Sequence, residues 1–185
     1  MLKLFRRSET RATIERLYGA IVAQARQPAF YTDFSVPDTV EGRLEVLMLH
    51  IFLVCRRLKD EAPEGRAISQ EVFDAFLDDM DRTLREMGIG DLSVPKKMKK
   101  IGQGFYDRTA AYDAALSEPG EVLSKALARN IFARYEGASA PQEGPVATDA
   151  LAAYVRATAA VLAATPTAAF ARGEVTFPAP LTEEK

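Results

Sequence analysis

The stretch Val46-Leu47-Met48-Leu49-His50-Ile51-Phe52-Leu53-Val54-Cys55 is the most apolar in the chain. Glu45 precedes it and Arg56-Arg57 follows, so it falls well short of the roughly 20 apolar residues that cross a bilayer. Its apolar positions go nearly all the way round a helical wheel, which predicts a buried helix at the centre of a bundle. Upstream, Asp38 stands three residues before Glu41, an Asp form of the capping box, with Pro37 fixing the entry. The central helix is therefore predicted from about Asp38 to Leu58.

Working outward, Ile14, Leu17, Tyr18, Ile21, Val22 and Ala25 recur at helical spacing and predict a first helix from Thr10 to Arg26, stopped by Pro28. An aromatic loop, Phe30 to Pro37, links it to the central helix. After a loop from Asp60 to Arg66, Ser69 is the expected cap of a third helix with Val72, Phe73, Phe76, Leu77, Met80, Leu84 and Met87 inward. Gly88 closes that helix in a left-handed conformation, and its charges suit pairs Asp78–Arg82 and Asp81–Arg85. A fourth helix starts near Pro95 with Ser93 as cap; Gly102 and Gly104 inside it suggest close packing or a bend. A fifth spans about Pro119 to Tyr135 with Val122, Leu123, Leu127 and Ile131 inward. A sixth opens at Thr148 or Asp149 and points Leu151, Tyr154, Val155, Thr158 and Leu162 inward. No segment alternates like a set of strands, and no repeat appears. The expected architecture is all-α: one helical domain over residues 1–170 and a loosely ordered tail over 171–185.

Composition narrows the functions. The chain has 185 residues, 48% apolar and 27% charged, with 24 Lys and Arg against 26 Asp and Glu. A net charge of −2 argues against a non-specific polyanion binder. A single Cys excludes an internal disulfide and a cysteine zinc site, and a single His excludes a paired-His metal site. Met1 to Arg7 carries Lys3, Arg6 and Arg7, but no apolar run follows, so it is not a signal peptide.

Three constellations have two readings each. His50 is a general base, or a buried imidazole satisfied by one hydrogen bond. Asp78, Asp79 and Asp81 are a metal motif, or a charged helix face whose oxygens are claimed by Arg82 and Arg85. Lys96, Lys97, Lys99 and Lys100 are a solvated face, or a docking patch for anionic lipid, RNA or an acidic partner. Between Arg82 and Arg108 cations outnumber anions seven to three, which concentrates positive charge in an acidic chain. Neither a nucleotide loop, a serine-nucleophile motif nor an RNA-recognition signature accompanies them.

Four stretches together resemble the ubiquinol–cytochrome c chaperone family. They are Ala25-Arg26-Gln27-Pro28-Ala29-Phe30-Tyr31; Val36 to Arg43, leading into His50 and Arg57-Leu58; Asp79-Met80-Asp81-Arg82-Thr83-Leu84-Arg85-Glu86-Met87-Gly88-Ile89-Gly90-Asp91; and Phe105-Tyr106-Asp107-Arg108 with Tyr112, completed by Arg129-Asn130. The resemblance covers about Ile14 to Tyr135. The chain departs from the family pattern at Ser35, where Gly is expected before Val-Pro-Asp, at Val94-Pro95, and at Asp107 between Tyr and Arg.

The resemblance implies a non-enzymatic assembly factor for ubiquinol–cytochrome c reductase, without a cofactor, that holds newly synthesised cytochrome b. It implies a bacterial relative of the mitochondrial chaperone, cytoplasmic, with peripheral contact at the inner membrane of an alphaproteobacterium. On this reading Phe30 and Tyr31, outside the helical stripes, contact apolar client segments. Asp38, Glu41, Arg43, Asp81, Arg82, Arg85, Glu86 and Asp91 line a charged groove or pair with one another to shape it, and Tyr106 and Arg108 extend the partner-binding surface. Lys96, Lys97, Lys99 and Lys100 face a ribosome or an anionic membrane.

Overall fold

The computed structural model describes residues 2–132 and 144–180, and every regular element among them is helical. In chain order these are α1 (Leu2–Ala25), α2 (Ala29–Thr32), α3 (Val40–Leu58), α4 (Pro63–Glu86), α5 (Val94–Ser117), α6 (Val122–Leu127), α7 (Gly144–Ala164) and α8 (Thr167–Ala171). A π-helical turn, Ala128–Phe132, continues α6. The helix α3 packs against α1, α4, α5 and α7 and supplies the centre, as its all-round apolar pattern requires. Val46, Leu49, Ile51, Phe52, Leu53 and Val54 are all buried. Among the described residues no helix is long and apolar enough to cross a membrane.

The start of α3 differs from expectation by one residue. Thr39, not Asp38, caps it: the Thr39 hydroxyl accepts from the Gly42 N–H at 3.1 Å, while Asp38 turns to Arg43. A Cβ on Gly42 would lie 2.0 Å from the Pro37 carbonyl oxygen. Glycine is what lets the incoming loop lie flat on the first turn of the helix.

The helix α4 opens six residues before Ser69, because Pro63 acts as a first-turn residue and not as a breaker. Gly65 permits the tight link from α3, since its Cβ would meet Glu61 Cβ at 2.5 Å. At the other end Gly88 takes φ +77°, and the Ile89 N–H donates to Leu84 O at 3.0 Å, closing the helix as expected. Likewise α7 begins at Gly144 with Pro145 in its first turn, so Thr148 and Asp149 lie inside it; Leu151, Tyr154, Val155, Thr158 and Leu162 face the core. Val122 of α6 is 45% exposed where an inward side chain is expected, whereas Leu123, Leu127 and Ile131 are buried. Ala133 to Tyr135 of the expected fifth helix lie outside the described residues. The backbone of Lys3, Arg6 and Arg7 is part of α1, and their side chains lie outside the description.

Beyond Ala171 the described residues, 172–180, form no further helix but are seated on the bundle. Phe170 is buried, Val175 and Phe177 pack against the core, Arg16 donates to the Arg172 carbonyl at 3.0 Å, and Gln24 donates to the Pro178 carbonyl at 3.1 Å. The loosely ordered tail expected from residue 171 is thus anchored over this stretch, and residues 181–185 lie outside the described ones.

Candidate functional site

The loop between α1 and α3 builds one wall of a groove. Ala29–Thr32 winds a single helical turn, which places Phe30 and Phe34 on its inner side. Phe30 is fully buried, stacked on Phe34 at 5.7 Å and edge-on to His50 at 5.2 Å and Tyr154 at 5.1 Å. The expectation that Phe30 contacts a partner is therefore corrected: it is core. Its i,i+4 spacing to Phe34 is the signal that identifies the turn. Tyr31 points the other way and is half-buried; its hydroxyl donates to Ala25 O at 2.8 Å and the Arg43 guanidinium lies 5.2 Å over its ring. Arg43 in turn donates to Asp38 at 2.6 Å.

Ser35 takes φ +53°, the left-handed region, at the position where the resemblance led glycine to be expected. An L side chain there costs about 1–2 kcal/mol, against about 0.5–1 kcal/mol of extra chain entropy for glycine. Ser35→Gly is expected to stabilise the protein by about 0.5–1 kcal/mol, read as a higher urea midpoint with unchanged slope.

The opposite wall is α4. Together with α1, α3 and Ile101 of α5 it encloses a groove of about 340 Å³ floored by Val22, Leu44, Leu47, Met80 and Leu84 and rimmed by Arg26, Tyr31, Arg43 and Asp79. Val40 and Met87 stand at this groove 59% and 55% exposed. Met87 is thus not the core residue its spacing suggests. The apolar floor is the candidate feature that sequence reasoning missed, because Met80 and Leu84 belong to the stripe predicted to pack the core.

The charged residues expected around it form two separate sets. Asp38 pairs with Arg43, and Glu41 is exposed beside them. On α4, Arg82 pairs with Asp79 and not with Asp78, and Asp79 also accepts from the Tyr18 hydroxyl at 2.8 Å. Burial, and then that carboxylate, raise the Tyr18 phenol far above its ordinary range. Arg85 bridges Asp81 at 2.6 Å and Asp91 at 2.5 Å, and holds the Asp81 carboxyl below its usual value. Glu86 is exposed. None of the ion pairs among the described residues joins the α3 set to the α4 set. With Asp79 and Asp81 claimed by arginines, no group of three His, Cys, Asp or Glu suited to a metal is found among the described residues.

Arg108 does not belong to the surface. It is 4% exposed and forms a two-pronged ion pair with Glu45, 6% exposed, while its remaining nitrogen donates to Gly104 O at 2.8 Å. A Cβ on Gly104 would meet that nitrogen at 2.8 Å, so the close packing expected at Gly104 is real; Gly102 has open space. Tyr106 is 60% exposed and leans on Phe73 at 5.6 Å. Lys96, Lys97, Lys99 and Lys100 are all exposed, and none enters an ion pair among the described residues.

His50 is fully buried between Val46 O and the Tyr154 hydroxyl, each 2.8 Å from a ring nitrogen, and cannot reach a substrate. Burial lowers it to about 4. Below pH ~6.5 the unfolded chain therefore binds a proton that the folded chain refuses, so stability falls on acidification by about 1.4 kcal/mol per pH unit. A loss of about 2 kcal/mol is expected between pH 6.5 and 5, above the carboxylate range. Chemical denaturation along that series checks it, and the lone histidine proton signal should not titrate in the native state over the same interval. Burial also pushes the Cys55 thiol up to about 11, away from reactivity.

Comparison with known proteins places this fold. A crystal structure of the Cbp3 homolog from Brucella abortus superimposes with a TM-score of 0.82 at 43% identity over 97% of both chains. The ubiquinol-cytochrome-c reductase complex assembly factor 1 of Xenopus laevis is 25% identical over 117 residues, and the human protein of that name 25% over 119. The matches span 63% and 64% of this chain but only 58% and 40% of those relatives. The family model for the ubiquinol-cytochrome C chaperone matches residues 32–177, past the Tyr135 limit expected and across α7 to the seated C-terminal stretch. On that match the chain belongs to the ubiquinol–cytochrome c chaperone family.

Proposed function

We propose that this protein is an assembly chaperone for ubiquinol–cytochrome c reductase that holds newly made cytochrome b, and that it works by binding, with no bond made or broken. The observation that carries the reading is the groove between α1, α3 and α4: an apolar floor open to solvent, with Val40 and Met87 exposed at it. A membrane protein waiting for its partners presents apolar segments, and such a floor removes them from water at about 25 cal/mol per Å² buried. The rim, with Arg26, Arg43 and Asp79, suits the polar loops that flank those segments. Family membership and relatives named as reductase assembly factors support the same client class.

The test is done in cells lacking the gene, complemented with the wild-type chain or with Val40→Asp combined with Met87→Asp. Both positions are exposed, so the fold should tolerate the change. Cytochrome b per cell is expected to fall in the deletion, recover with wild type and stay low with the variant. Unchanged cytochrome b in the deletion would overturn the reading.

A further inference from the structure

The turn Asp91–Ser93 and the first turns of α5 carry charge and apolar surface that client holding leaves unused. Leu92 is 98% exposed, a large side chain with essentially no protein contact. Beside it, Val94 is buried and Met98 and Ile101 are partly buried, which sets the inner face of α5. At 100° per residue, Lys96, Lys99 and Lys100 point away from that face, and Lys97, also exposed, lies at its flank. Side chains on a helix lean toward its N-terminus, so the four ammonium groups lean toward the Leu92 end. Asp91, next to Leu92 in the chain, is already bound by Arg85 at 2.5 Å; Glu41 and Asp107 line a depression with Lys100 but form no ion pair with it among the described residues.

We propose that this end of the molecule docks on an anionic bilayer, with Leu92 entering the acyl boundary and the lysines meeting lipid phosphates. Lysines alone would suit RNA phosphates equally well, but that contact would leave Leu92 in water. An interface with apolar material beneath an anionic layer satisfies both features, and lysine stems are long enough to reach headgroups above an inserted leucine. The patch is positive on a chain of net charge −2, so an anionic surface also orients the molecule.

The experiment is co-sedimentation of the purified full chain with phosphatidylcholine vesicles and with phosphatidylcholine–phosphatidylglycerol vesicles. Binding is expected only to the anionic vesicles, and it should fade from ~0.1 to ~1 M salt as the screening length shrinks from about 10 to about 3 Å. Each Lys→Gln change in the patch should weaken partition about fivefold, and Leu92→Ser about tenfold. Because the chain contains no tryptophan, Leu92→Trp supplies a single reporter whose emission should shift to the blue on anionic vesicles. The proposal is overturned if neither vesicle binds, if Leu92→Ser binds like wild type, or if the Leu92→Trp emission is unmoved. Lysine-dependent binding to ribosomes without vesicle binding would assign the patch to RNA instead.

Discussion

Replacing Arg108 by Met is expected to cost about 3–5 kcal/mol of stability, because it takes the guanidinium away from the buried Glu45 carboxylate. Glu45 on α3 and Arg108 on α5 are each almost fully enclosed, and their two-pronged contact ties those helices together. The loss therefore comes chiefly from keeping a carboxylate out of water after its cation is removed, and not from the attraction itself. It follows that Glu45→Leu combined with Arg108→Met should recover most of the stability, and by precedent for such pairs could exceed the wild type. Urea denaturation of the four corners of this double-mutant cycle gives the coupling directly. Equal, additive losses in the two single variants would show that the pair is not a unit.

Phe30→Ala is expected to destabilise by about 3–5 kcal/mol, the cost of emptying a large aromatic site in a packed core. Phe30 sits among Phe34, His50 and Tyr154, so the void opens between side chains of α3 and α7, beside the His50 ring that Phe177 also meets edge-on at 5.5 Å. A surface contact residue would behave differently, changing stability by no more than about 0.5 kcal/mol. Thermal unfolding of Phe30→Ala beside Tyr31→Ala separates the two roles. The first should melt much earlier, while the second, only partly buried, should retain more stability and lose part of the groove wall.

The sequence was most legible where one pattern ran without interruption. The centre of the bundle could be read from Val46 to Cys55 because apolar residues occupy every side of that helix. Its neighbours followed from stripes such as Leu151, Tyr154, Val155, Thr158 and Leu162. The early start of α4 was not legible: Pro63 and Gly65 look like a loop, yet proline is well suited to a first turn and Gly65 answers a contact with Glu61 that only the folded pair of helices creates. Arg108 was misassigned because charge suggests solvent. Its spacing argued otherwise, since it lies three residues after Phe105 and four before Tyr112, on the stripe facing Glu45. Ser35 shows the reverse case, a serine where glycine was expected that marks a left-handed backbone. The groove itself was hidden because its floor residues also belong to helical core stripes, and only packing decides which of them remain open to water.

If the groove between α1, α3 and α4 holds newly made cytochrome b, as proposed, side chains at its mouth lie against that client. The most direct measurement places a photo-crosslinking residue in turn at Val40 and Met87, and at Glu121 as an exposed control outside the groove, in growing cells. The account predicts covalent adducts with cytochrome b from positions 40 and 87 and none from position 121. Adducts that contain no subunit of the reductase, or that form equally from all three positions, would contradict it.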